Sequence, residues 1–129
     1  MKTLKILFAI FTATLLMSGC VYKFVVPEDV IDPGDPDTPE ISFSQEIVPI
    51  FTNNDKCTEC HNGGQAPDLT ADNAYNSLNS SRYINKSTPE ESLIYTYPHP
   101  DTDTHKRRKY TAGEAAKVLT WITQGAKNN

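Results

Sequence analysis

Cys57-Thr58-Glu59-Cys60-His61 is the stretch of this 129-residue chain that decides how the rest is read. Two thiols separated by two residues and followed at once by an imidazole have three established uses: a thiol redox pair, half of a zinc site, or covalent attachment of a c-type haem. For attachment each part has a reason. The thiols add across the two haem vinyl groups, whose separation matches one turn of chain, and the adjacent imidazole can put a nitrogen on the iron. Zinc would need two further ligands, and only His99 and His105 remain as soft donors, with no second Cys-x-x-Cys. A thioredoxin-like pair would sit in a strand-and-helix pattern, which is absent. One covalent haem c is therefore the expected cofactor, bound through Cys57, Cys60 and His61.

Attachment of this kind takes place outside the cytoplasm, and the N-terminus agrees. Residues 1–19 begin with Lys2 and Lys5, continue as an apolar run from Ile6 to Met17, and end in small residues before Cys20. That is the pattern of a secretory signal peptide, with an apolar run too short to span a membrane. Leu16-Met17-Ser18-Gly19-Cys20 resembles the bacterial lipobox, which implies lipidation of Cys20 and anchoring to a bacterial membrane, facing the periplasm or the cell surface. An ordinary signal peptide cut near Gly19 is the alternative, and it too exports the chain. With Cys20 lipidated, only Cys57 and Cys60 remain, too few for a disulfide framework.

Residues 20–40 read as a tether. Pro27, Pro33, Pro36 and Pro39 alternate with Glu28, Asp29, Asp32, Asp35, Asp37 and Glu40, with no Lys or Arg between Pro27 and Glu40. Such a segment is solvated and self-repelling, and at polyproline rise it would reach about 60 Å. Its prolines break any EF-hand pattern. The mature chain carries ten basic against sixteen acidic side chains, which excludes nucleic acid as the expected partner.

Residues 41–129 form the expected folded domain, where acids and bases nearly balance at ten to nine. Ser42 or Ser44 can cap a helix presenting Phe43, Ile47, Ile50 and Phe51, with Pro49 making it short or kinked. Asn73 to Leu78 predicts a second short helix, and Thr88 followed by Pro89 starts a third that presents Leu93 and Ile94. The last helix is the clearest: Thr111 and Glu114 make a capping box, Ala115, Val118, Leu119 and Ile122 form a stripe, and Gly125 ends it. No alternating strand pattern, repeat or phosphate loop occurs, so the domain reads as mostly α, with long loops able to wrap one haem.

The usual partner of a haem-ligating His is Met, but Met1 and Met17 leave with the signal peptide. His105, in Asp103-Thr104-His105-Lys106, is the leading candidate for the second iron ligand. His99, in Tyr97-Pro98-His99-Pro100, is the alternative, and an open or water-ligated iron is the third arrangement. Imidazole in place of thioether favours the ferric state and lowers the potential. Pro67 can offer its carbonyl to the other nitrogen of His61, or can simply make a turn. Leu69, Leu93, Ile94, Trp121 and Ile122 are candidates for the haem wall and equally for ordinary core. Lys106-Arg107-Arg108-Lys109 could pair with haem propionates, steer an acidic redox partner, or be a solvated loop.

With these residues in hand, the stretch from Phe43 to Ala126 resembles the small exported domains called Planctomycete-type cytochrome c. The likeness rests on Phe43 to Phe51, on Cys57 to His61, on Pro67-Asp68-Leu69, and on Pro89-Glu90-Glu91-Ser92-Leu93-Ile94-Tyr95. Thr111 with Glu114 leading to Trp121-Ile122-Thr123-Gln124-Gly125-Ala126 completes it. Many such domains carry Met-Pro before the last helix, where this chain has His105. The resemblance implies a class I-like cytochrome c helical fold and electron carriage. The expected function is that of a monohaem lipoprotein passing single electrons between periplasmic or outer-membrane redox proteins, rather than an enzyme. The alternative is a haem-based small-molecule sensor or binder, or a minor peroxidase, with an open distal site. A tethered domain whose haem only stabilises folding is a third.

Overall fold

The computed structural model describes residues 31–129 apart from 34 and 36, so the expected signal peptide, Cys20 and most of the tether lie outside the described residues. The domain begins with the stripe Phe43, Ile47, Ile50 and Phe51, all buried. Ser42 caps it, its hydroxyl accepting from the Gln45 N–H while Glu46 accepts from the Ser42 N–H. Proline supplies no N–H and its ring crowds the preceding turn, and here the backbone widens into a π-helical turn over Phe43–Ile47 before continuing as α1, Val48–Thr52. Pro49 thus kinks this element without breaking its buried face.

Asn54 and Asp55 then take left-handed backbone, φ +54° and +51°, a region Asn and Asp tolerate better than most residues. They reverse the chain so that the Cys57 N–H reaches back to the Phe51 carbonyl at 2.8 Å. Residues 57–61 form a single helical turn, with the His61 N–H bonded to the Cys57 carbonyl at 2.9 Å.

Helix α2 spans Ala74–Leu78 and buries both its ends. The third expected helix is split. A 3₁₀ turn, Pro89–Glu91, is separated from α3, Leu93–Thr96, by Ser92 in extended conformation. The reason is a tertiary contact: buried Ser92 turns its hydroxyl to the Asn85 N–H at 2.9 Å, pinning the loop after α2 instead of continuing the helix.

Helix α4, Ala112–Thr123, carries both halves of the Thr111–Glu114 capping box, and Gly125 leaves it at φ +102°. Ala115, Val118, Trp121 and Ile122 are buried along its inner face. Trp121 lies against Phe43 with ring centroids 5.0 Å apart, and Phe43 meets Tyr75 edge-on at 5.3 Å. The Trp121 indole N–H donates to the Lys127 carbonyl at 2.9 Å, so its one polar atom is satisfied. The two ends of the domain close on each other, the Ser44 N–H donating to the Asn129 carbonyl. Gln124 and Lys127 reach further, to the Pro39 carbonyl and the Glu40 carboxylate, so polar ties extend past Ile41 into the last tether residues.

The described residues are mostly helical and include no strand. None of their helices is long and apolar enough to cross a membrane. Long loops join the short helices and border a cleft that Trp121 does not line.

Candidate functional site

A cleft of about 600 Å³ opens between four pieces of chain: the Cys57–His61 turn, the Gln65 to Leu69 segment, α3 with Tyr97 and Pro98, and the loop from Thr104 to Arg108. That size falls within the ~300–1,000 Å³ usual for cofactor and small-molecule sites. Leu69, Ile94 and Tyr110, all buried, give it an apolar wall, and Leu93 borders it from α3. Trp121 and Ile122, the other two wall candidates, are not among its lining residues: they fill the core behind it.

Both cysteines border the cleft, Cys57 half-buried and Cys60 exposed. Burial pushes the Cys57 thiol up to about 11, outweighing the nearby Lys56 and Arg108 charges. Burial thus disfavours the Cys57 thiolate. Lys56, one residue earlier, is paired with Glu114 at the start of α4, which fixes the turn against the last helix.

His61 is held by the carbonyl that the sequence offered for it: Nδ1 lies 3.0 Å from the Pro67 oxygen. A carbonyl can only accept, so Nδ1 is the donor, which in the neutral ring leaves the lone pair on Nε2. His105 is arranged in the same way, its Nδ1 bonded to the Arg107 carbonyl. The two imidazoles, 44 positions apart in sequence, face the same cleft with ring centroids 6.3 Å apart and planes inclined by 29°. An imidazole nitrogen lies about 1.2 Å from its ring centre and a metal–nitrogen bond is about 2.0 Å, so a metal ion shared by two imidazoles would hold their centroids at most about 6.4 Å apart, and the observed separation falls within that limit. Among the described residues no group of three or more His, Cys, Asp or Glu side chains could hold a metal ion.

Of the two histidines left open as second ligand, the structure brings only His105 to His61. His99 does not border the cleft; it packs edge-on against Tyr95 at 5.0 Å and accepts from the Asp101 N–H at 3.2 Å. Two further residues shape the His105 side, and the sequence carried no signal for either. Tyr97 meets the His105 ring edge-on at 5.5 Å, and its carbonyl accepts from the Thr104 hydroxyl at 2.6 Å. Tyr110 lies buried beneath, donating to the Ile94 carbonyl at 3.1 Å, and burial holds its phenol well above the usual range.

The basic run 106–109 divides. Lys106, Arg107 and Arg108 line the cleft, Arg108 also pairing with Glu59, while Lys109 lies off it and pairs with Asp103; Arg82 lines it too, its guanidinium 5.5 Å from the Tyr83 ring centre.

Asp68, next to the carbonyl that orients His61, accepts from the Thr70 N–H and hydroxyl and from the Asn73 amide. These bonds favour the ionised form and lower its pKa below the ordinary carboxylate value. Its contribution to stability is thus complete above the unfolded-state pKa and lost as pH falls through the lowered folded value. Asp68→Asn should flatten the acid limb of thermal stability measured between pH 5 and pH 2; an unchanged acid limb would show that Asp68 takes no part.

Compared with protein-family models, with curated proteins and with solved structures, the chain matches none.

Proposed function

We propose that the chain is an exported monohaem c-type cytochrome, lipid-anchored through Cys20 and carrying single electrons between periplasmic or outer-membrane redox proteins. In this reading residues 41–129 are a class I-like cytochrome c domain of the Planctomycete type. The observation that carries it is the His61–His105 pair: centroids 6.3 Å apart on the cleft that also holds both cysteines, each Nδ1 tied to a backbone carbonyl.

The residues divide the work. Cys57 and Cys60 would hold the haem covalently, each thiol adding across one vinyl group with no atom released. His61 and His105 would supply the protein ligands to the iron through Nε2, and the Pro67 and Arg107 carbonyls fix their rings and raise their basicity through the Nδ1 bonds. Leu69, Ile94 and Tyr110, with Leu93 at its border, would give the haem an apolar wall. Haem held there would supply a one-electron ferric–ferrous couple, of low potential with two imidazole ligands. The acidic tether lets one anchored domain meet its partners at raised local concentration.

The test is production of the full chain in a host that matures c-type haem, beside a Cys57→Ser/Cys60→Ser variant. The parent should gain the mass of one haem, retain it through acidic solvent extraction, and show a low-spin spectrum; the double variant should retain none. A parent that carries zinc or a disulfide and no haem would sink the proposal. A parent with covalent but high-spin haem that binds carbon monoxide at once would shift the reading to a sensor, small-molecule binder or minor peroxidase.

A further inference from the structure

The loop that presents His105 has little of its own to hold it. No residue from 99 to 109 belongs to the buried core, which passes from Ile94 directly to Tyr110. Thr104 and Thr102 bond the Tyr97 carbonyl, the Tyr110 N–H closes the base of the loop on the Pro98 carbonyl at 2.9 Å, and Lys109 pairs with Asp103. All these ties are internal to the loop or join its two ends. They fix its shape and leave open how close His105 stands to His61.

Across the cleft, the hydrogen bonds and ion pairs from this loop to the Asn54 to His61 side are made by Arg108 among the described residues. Its Nη1 donates to the Asn54 and Asp55 carbonyls, 2.9 Å each, and its Nη2 to the Glu59 carboxylate at 2.9 Å. A guanidinium presents donors in a rigid fork, so one side chain can serve three acceptors; an ammonium cannot match that pattern. The backbone is bent to suit. Of the non-glycine residues with positive φ among those described, Asn54, Asp55, Arg108 and Ala126, three lie at this contact, Arg108 at +42°. Left-handed conformation at two successive residues brings consecutive carbonyls to one nitrogen. Such conformations persist where surrounding contacts over-determine them.

We infer that Arg108 is a positioning residue for the distal ligand: its guanidinium latches the His105 loop to the turn that leads into Cys57 and His61, and so sets the gap between the two imidazoles. The inference rests on the reading of His61 and His105 as the two iron ligands. Arg108 does not touch the metal; it acts through His105.

The experiment uses the matured full chain and its Arg108→Ala, Arg108→Lys and Glu59→Gln variants, with His105→Ala as the upper limit. Two quantities are read: the low-spin fraction from the visible spectrum, and the rate at which carbon monoxide binds the reduced form, which requires His105 to leave. Arg108→Ala should bind carbon monoxide at least about tenfold faster than the parent, a change equivalent to about 1.4 kcal/mol. Arg108→Lys, which keeps the charge and loses the fork, should fall between them. A purely structural role would lower the melting temperature and leave the carbon monoxide rate unchanged. If Arg108→Ala yields no soluble holoprotein, Arg108→Lys and Glu59→Gln decide, and parental rates in both overturn the latch. A low-spin parent with unchanged variants refutes the latch alone, whereas a high-spin or haem-free parent refutes the ligand reading and the latch with it.

Discussion

His105→Ala should leave haem covalently attached while converting the iron from low spin to high spin and opening it to carbon monoxide. The size of this effect follows from the shortage of substitutes. Both methionines precede Cys20, and His99 is turned away, bonded to Asp101 and packed on Tyr95. Lys56 is paired with Glu114. Among the described residues Lys106 is the other lysine lining the cleft, so His105→Ala/Lys106→Ala is the cleaner variant where the single change retains some low-spin signal. His105→Met tests the same position from the other side: a thioether in place of imidazole should raise the reduction potential, since methionine ligation favours the ferrous state. The visible spectrum and a redox titration check both variants. A His105→Ala protein whose spectrum and carbon monoxide rate equal the parent's would remove His105 from the iron.

The second large effect is on stability. Trp121→Ala should cost about 3–5 kcal/mol, the usual range for removing a large aromatic side chain from a core. Trp121 is only 1 % exposed, rests on Phe43, and binds the Lys127 carbonyl through its indole N–H. Against a typical total of about 5–15 kcal/mol, such a loss puts a domain of this size near its unfolding threshold. Each kcal/mol should shift the melting temperature by about 4–8 °C. Trp121→Phe keeps the aromatic contact and gives up the hydrogen bond, so its cost should be about 1–2 kcal/mol. Urea titration of the matured protein measures both. A loss below about 1 kcal/mol for Trp121→Ala would mean that the core does not depend on it.

These two residues show which parts of the molecule could be read in advance. Short-range signals translated directly. The Thr111–Glu114 capping box starts α4, Gly125 ends it, the stripe Phe43, Ile47, Ile50 and Phe51 is buried, and Pro49 distorts the backbone where it stands. The Pro67 carbonyl was also within reach of inference, because it lies six residues from His61. In each case the partners are close in sequence, so their spacing alone sets which groups can meet.

What periodicity could not assign was any choice settled by contacts between distant segments. His99 and His105 have the same chemistry on the same loop; only the closure of that loop over Cys57–His61 separates them. Trp121 could have faced the cleft or the core, and its contact with Phe43, nearly eighty residues earlier, sent it to the core. Ser92 interrupts a helix that its neighbours favour because the Asn85 N–H needs an acceptor. Arg108 looks like one member of a solvated basic run until the backbone at Asn54 and Asp55 is folded beside it. The motif and the caps were decided along the chain, where a few residues satisfy one another. The second imidazole, its distance from the first and the side chain that holds it there were decided by packing, because their partners become neighbours only when the fold closes.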